Sequence, residues 1–133
     1  METSELDYAF LADFAQVSDN KLTTVGASYT HVYTSSVPGG HLLYIAGRIR
    51  CPENLQEVPL KIVASPPNKE FEIAGELTLG HQGEIRPYDG KVGLLFSMGI
   101  NLPLPSEGLY EINLFLEDRL VRRLAFSVEL RRG

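Results

Sequence analysis

The sequence has few of the features that define secreted, membrane and catalytic proteins. It contains one cysteine, Cys51, so an internal disulfide is excluded and a reducing compartment is expected. No apolar run approaches the roughly 18 residues that a membrane-spanning helix needs. Residues 1–4 lack the basic start and apolar stretch of a signal peptide. We therefore expect a cytoplasmic protein that does not bind membranes.

Motifs for catalysis and for metal binding are also missing. The sequence has no GxxxxGK[ST], GxGxxG or GxSxG motif, and its three histidines, His31, His41 and His81, do not have the spacing of zinc ligands. Cys51 ends an apolar run just before Pro52, which favours a buried thiol over a nucleophile activated by His41. We predict no metal, no cofactor and no enzymatic activity. The alternative is an enzyme whose site assembles only in space.

The charge balance is acidic, with one basic exception near the C-terminus. A net charge of -5 disfavours nonspecific binding to nucleic acid. Five arginines nevertheless fall within the last fifteen positions: Arg119, Arg122, Arg123, Arg131 and Arg132. Glu117, Asp118 and Glu129 lie among them, which predicts ion pairs across a solvated sheet. The alternative is a binding site for phosphate or an acidic partner, with Arg119, Arg122 and Arg123 as its candidates.

What the sequence does contain is a repeated two-residue alternation of apolar and polar side chains. Apolar files occupy alternate positions in 58–64, 71–79 and 92–100, and a further strand is expected at 41–50. Gly and Pro clusters separate these runs, at 38–40, 52–54, 66–68, 88–90 and 103–108. A chain of 133 residues can bury one core. We predict one domain over residues 1–133, an antiparallel Greek-key-like sandwich of about 7–9 strands, immunoglobulin- or fibronectin-like.

The C-terminal segment makes a stricter prediction about its turn. Two apolar files are expected to face the core: Tyr110, Ile112, Leu114 and Leu116, and then Leu124, Phe126, Val128 and Leu130. A two-residue turn at Asp118-Arg119 would place them on opposite faces of the sheet. We therefore predict a loop of about three residues, or a bulge near Arg122, that brings Ile112 opposite Phe126.

The pattern of the N-terminal segment is compatible with two secondary structures, a helix or a hairpin. Apolar residues at positions 6, 10, 14 and 17 suit a helix that Ser4 and Asp7 would cap, whereas the turn tetrapeptide at 18–21 favours a hairpin. Asp13 stands in an apolar run, where an unpaired buried carboxylate would cost several kcal/mol. We predict a structural role for Asp13, with backbone N–H groups, a hydroxyl or an arginine as partners. A functional carboxylate is the alternative.

Short motifs at both ends of the chain resemble a known family. They are Phe10-Leu11-Ala12-Asp13, Asp19-Asn20-Lys21-Leu22, Val25-Gly26-Ala27, Leu102-Pro103-Leu104-Pro105 and Gly108-Leu109-Tyr110. Together they resemble a widespread, functionally uncharacterised family of small bacterial proteins of about this length. The resemblance covers most of the chain and implies a β-sandwich with an N-terminal strand. It implies no catalytic residues.

Two groups of side chains are candidates for binding. Three tyrosines and two histidines could line an aromatic surface for a small ligand or a carbohydrate, although such residues are more often half-buried strand positions: Tyr29, Tyr33, Tyr44, His31 and His41. The second group, Glu70, Glu72 and Glu76, has the alternate spacing of one solvated strand face, with a calcium site as the alternative.

Apolar residues on both faces of one strand predict that another surface covers them. Leu94-Leu95-Phe96 and Leu42-Leu43-Tyr44-Ile45 carry more apolar side chains than one sheet face can hide. We therefore predict a non-enzymatic binding or assembly module whose partner is another protein or a second copy of the chain. A small-ligand or carbohydrate-binding sandwich is the alternative.

Overall fold

The computed structural model describes residues 4–54, 57–80 and 86–131, so His81 and Arg132 lie outside the described residues. The described residues form ten strands: β1 (Glu5–Ala12), β2 (Phe14–Ser18), β3 (Lys21–Val25), β4 (His31–Thr34), β5 (Gly39–Pro52), β6 (Glu57–Ser65), β7 (Ile73–Gly80), β8 (Lys91–Leu104), β9 (Gly108–Leu116) and β10 (Arg119–Leu130). The predicted all-β fold is confirmed, with one strand more than the expected maximum of nine. No helix in these ranges is long and apolar enough to cross a membrane.

Two sheets face each other across one apolar core. One has the strand order β1-β5-β8, and the other has the order β4-β10-β9-β6-β7. The largest fully buried side chains, which include Tyr110, Phe96 and Phe126, lie in this core. The sandwich is not wholly antiparallel, because β4 pairs with β10 in parallel. β4 reaches this edge without a hairpin from β10, so nothing forces the two strands to run in opposite directions.

The alternation predicted in the middle of the chain is confirmed. In β6, Val58, Leu60, Ile62 and Ala64 are buried, and exposed or half-buried residues lie between them. In β7 the inward residues Ile73, Leu77 and Leu79 are only half-buried, because β7 is the last strand of its sheet and the facing sheet covers it incompletely.

The C-terminal hairpin has a two-residue turn followed by a bulge. The turn residues Glu117 and Asp118 have φ values of 51° and 64°, which suit the tight turn that matches strand twist. The predicted three-residue loop is therefore wrong. The alternative, a bulge near Arg122, is confirmed by the register shift between Leu120 and Arg122. This bulge places Leu124, not Phe126, opposite Ile112, and both apolar files face the core.

The N-terminal segment is extended, so the hairpin prediction is confirmed. β2 and β3 pair through a turn at Asp19 and Asn20, and both turn residues have positive φ. This hairpin lies against β8 and β5 of its neighbouring sheet. On the outer face of β5, a second small cluster contains Ala12, Ala15 and Ala46, with Phe10, Leu22 and Tyr44 packed against it. The hairpin thus covers part of the apolar surface that the two-sided runs present.

Two further contacts hold the elements in place. The Tyr110 hydroxyl donates a hydrogen bond of 2.7 Å to the carbonyl oxygen of Ser106, just before β9. Gly47 of β5 lies opposite Ala9 in the β1–β5 ladder, and a Cβ there would lie 2.1 Å from the carbonyl oxygen of Tyr8. Only glycine allows the two backbones to approach this closely.

Candidate functional site

The aromatic side chains proposed as one binding surface lie in separate places. Tyr29 is half-buried, and its hydroxyl is 2.9 Å from Nε2 of His41. Both rings pack against Phe126, at centroid distances of 6.1 Å and 5.9 Å. Tyr44 lies on β5, as His41 does, but on the outer face of the sheet, against Phe14 of the hairpin. Tyr29 and His41 therefore form one pair, and Tyr44 does not share a surface with them.

His31 and Tyr33 do lie together, on β4, with ring centroids 4.7 Å apart. Both already have partners, since Nε2 of His31 is 3.2 Å from the Glu129 carboxylate and the Arg131 guanidinium lies 3.9 Å from the centre of the Tyr33 ring. A sugar ring that stacked on Tyr33 would have to displace Arg131 from this position.

Asp13 is exposed, so the expectation of a buried carboxylate is wrong. The apolar run is interrupted here, because β1 ends at Ala12 and β2 begins at Phe14, and Asp13 occupies the corner. Its backbone N–H donates to the carbonyl oxygens of Val25 and Gly26, at 3.0 Å and 3.3 Å. The carboxylate lies against Gly26, where a Cβ would meet Oδ2 at 2.2 Å. A structural role for this side chain stays a prediction.

The electrostatic effect of Asp13 reaches the Tyr29–His41 pair. Burial, together with the negative charge of Asp13, raises the pKa of Tyr29 to about 12. Burial lowers the pKa of His41, and the charge of Asp13 opposes this shift. Both shifts favour the neutral forms of Tyr29 and His41, which form a hydrogen-bonded contact beside Phe126.

The C-terminal arginines differ in whether their guanidinium groups have hydrogen-bond or ion-pair partners. Arg119 donates to the carbonyl oxygen of Ser4 at 3.0 Å and is 3.9 Å from Glu117. Arg123 pairs with Glu111 at 2.8 Å. Arg123 and Lys69 both donate to this carboxylate and hold its pKa at about 2. Arg122 is exposed, and no described residue forms a hydrogen bond or an ion pair with its guanidinium.

The other candidates show no reactive or metal-binding arrangement. Cys51 is buried, and burial raises the pKa of its thiol, which disfavours the reactive thiolate. Glu70, Glu72 and Glu76 are exposed, but only Glu76 lies on β7, since Glu70 and Glu72 precede this strand, so the prediction of one shared strand face is wrong for them. Within the described ranges, no three His, Cys, Asp or Glu side chains are placed to hold a metal ion together.

The feature that sequence reasoning missed is a groove between the two sheets. β7 and β8 are edge strands of opposite sheets, and their apolar side chains Leu77, Leu79 and Leu95 line an open cavity of about 470 Å³. Phe14 and Val17 of the β2–β3 hairpin form its outer wall. The two-sided run at Leu94-Leu95-Phe96 was the available signal, but periodicity does not show which strand ends a sheet.

The groove continues into a second, cationic part. An adjoining cavity of about 420 Å³ shares Val17, Leu79 and Leu95 with the first and adds the polar side chains of Asn20, Arg48, Thr78, Arg86 and Tyr88. Beyond the apolar part, the Met98 side chain lies on Gly75, with Sδ 2.7 Å from the position of a Cβ there. The groove, defined here as these two cavities, thus has one apolar and one cationic part.

Of the two arginines in the cationic part, one has a carboxylate partner and the other has none among the described residues. Nε of Arg48 donates to Asp7 at 2.8 Å, and its guanidinium lies over the rings of Tyr8 and Tyr88, at 5.1 Å and 5.7 Å. Arg86 is exposed, and among the described residues no carboxylate lies within ion-pair distance of it. One fixed and one available guanidinium therefore line the same cavity.

Comparison with known proteins places this chain in a group without an assigned function. None of the curated proteins matches the sequence. Among solved structures, an immunoglobulin-like protein from Pseudomonas aeruginosa is similar over 96% of this chain and 98% of its own length, with 12% identity and a TM-score of 0.48. A family of unknown function, DUF6941, matches residues 7–129 of the 133. The chain belongs to this family.

Proposed function

We propose that the protein is a non-enzymatic binding module that takes up a polypeptide segment in the groove between β7 and β8. The observation that carries this proposal is the pair of sheet edges that flank the groove. Among the described strands, β8 pairs only with β5, and β7 pairs only with β6. Each strand therefore presents a row of backbone donors and acceptors that a further strand can use.

The composition of β8 supports docking at its free edge. Residues 92–101 contain no charged residue and no proline, although natural edge strands usually carry such residues to prevent pairing with other chains. The edge strand β1, by contrast, has a bulge between Leu6 and Tyr8, which is one of the usual protections. An unprotected edge beside apolar side chains favours a partner that supplies both backbone and side-chain contacts.

The exposed residues of the hairpin add apolar surface to the same place. Phe14 and Val17 are each 39% exposed and lie in the groove wall. The part of the groove that follows β8 from Gly93 to Ser97 spans four residue steps, or about 13 Å, enough for roughly five residues of an extended partner. The acidic net charge supports a protein partner over a nucleic acid. We propose a cytoplasmic setting on the single buried thiol.

Sedimentation velocity at micromolar concentration tests whether the partner is a second copy. A matched pair of variants then locates the contact: Val17→Glu places a charge in the groove, whereas Val25→Glu changes the more exposed valine of the same hairpin outside it. If copies associate through the groove, Val17→Glu dissociates them and Val25→Glu does not. A monomer at all concentrations excludes a second copy as the occupant of the groove, and an assembly that resists Val17→Glu overturns the proposed site.

A further inference from the structure

We infer that the groove selects an extended segment that carries apolar side chains at alternate positions and an acidic side chain next to them, placed to meet Arg86. This inference rests on the proposed function and adds the chemistry of the partner. Its basis is the change in lining along the groove, from Leu77 and Phe14 in one part to Arg48 and Arg86 in the other.

The apolar part sets the spacing of the partner's side chains. Leu77 and Leu79 are two positions apart on β7, so they project to the same side of the strand. An extended segment that pairs with either edge presents its own side chains with the same two-residue period. Two or three alternate apolar residues of the partner therefore face the apolar wall, and the residues between them face solvent.

The cationic part sets the charge of the partner. Asp7 already compensates Arg48, and the rings of Tyr8 and Tyr88 hold it in position. Arg86 has an uncompensated charge with respect to the described residues and lines the same cavity. A carboxylate there gains a charge-assisted hydrogen bond from Arg86.

The acidic group is a side chain of Asp or Glu within the segment. The Arg86 guanidinium is exposed, so the partner chain can continue into solvent past it and need not end there. Gly93 and Leu95, which line the cationic part, are two positions apart on β8. The acidic residue therefore follows or precedes the last apolar residue by about two to four positions.

A displayed peptide library tests the inference directly. The probe is a pool of random eight-residue peptides with Gly-Ser segments on both sides, selected on the folded wild-type protein and, in parallel, on Arg86→Gln, Arg122→Gln and Val17→Glu. Arg122→Gln is the matched control, because Arg122 is an exposed arginine outside the groove. A circular dichroism melt of each variant verifies folding before selection.

The expected result has two parts. Wild-type protein and Arg122→Gln enrich peptides with alternate apolar residues and a nearby Asp or Glu, whereas Arg86→Gln keeps the apolar pattern and loses the acidic preference. A synthetic peptide from the enriched set should bind about tenfold more weakly when its acidic residue is replaced by the amide.

Other results separate the two proposals. Apolar enrichment without an acidic preference, or an acidic preference that survives Arg86→Gln, overturns the inference and leaves the proposed function intact. Equal enrichment on wild-type protein and Val17→Glu overturns both. If peptides bind only after a wild-type dimer is dissociated, the occupant is a second copy, and the inference of a separate acidic partner is overturned.

Discussion

Gly47→Ala should destabilise the protein more than any other exchange of a β5 glycine for alanine. The new Cβ would lie 2.1 Å from the carbonyl oxygen of Tyr8, 2.9 Å from Cα of Ala9 and 3.0 Å from the Phe96 ring. Comfortable carbon contacts begin at about 3.5 Å, so β1 would have to move away from β5 by roughly 1 Å. Because the nearest obstacles are backbone atoms in a paired ladder, a rotamer change cannot relieve the overlap.

The expected cost follows from two opposing effects. Overpacking a core contact costs about 1 to 3 kcal/mol, and a clash with backbone lies at the upper end of this range. Replacing glycine by alanine also restricts the unfolded chain, which stabilises the native state by about 0.4 to 1 kcal/mol. The free energy of unfolding should therefore fall by about 2 kcal/mol.

Urea denaturation measures this loss, with Gly40→Ala as the control. Gly40 lies on the same strand, and the nearest atom to a Cβ there is 4.0 Å away. The midpoint should fall for Gly47→Ala at an unchanged m-value, and it should stay the same or rise slightly for Gly40→Ala. Equal midpoints for both variants would refute the close approach of β1 and β5 as the reason for glycine at position 47.

Three further outcomes can be measured on the same preparation. Tyr110→Phe removes the donor to the Ser106 carbonyl oxygen and should lower the free energy of unfolding by about 1 kcal/mol, and an unchanged urea midpoint would contradict this. Glu111 has its pKa lowered from 4.5 to about 2 by its cationic partners, so its contribution to stability is complete above about 4.5 and is lost as the pH falls toward 2. Wild-type protein should therefore lose stability more steeply than Glu111→Gln across that window, and parallel pH profiles would argue against the pairing. Cys51 is buried with a raised pKa, so a thiol reagent should label it only after denaturant is added, and rapid labelling of native protein would contradict its burial.

The core strands could be predicted from the sequence because each faces two different environments. In β6 every second residue is buried by the opposite sheet, so the alternation of Val58, Leu60 and Ile62 predicts both the strand and its buried face. The bulge at Arg122 could also be predicted, because both apolar files of the terminal hairpin must face the same core. Its exact turn could not, since Glu117 and Asp118 are not the glycine or asparagine that usually mark a tight hairpin turn.

The candidate site could not be predicted, because it depends on which strands end each sheet. Nothing in the alternation of β7 or β8 distinguishes an edge strand from a central one, and the groove exists only because both edges fall on the same side of the sandwich. Asp13 was misjudged for a related reason. The apolar residues around it belong to two strands that meet at a corner, and a sequence pattern does not show such a corner.

The β2–β3 hairpin adds a third layer to the two-sheet sandwich, on the outer side of the sheet that contains β5. One segment of about twenty residues therefore pairs with the edge of this sheet through β1 and shields its outer face through the hairpin. Both contacts are made by neighbouring parts of the chain, so detachment of the segment uncovers the edge and the outer face of β5 together. Such a partly open species would expose a long apolar strand to other copies, so the attachment of this segment also protects the protein against aggregation.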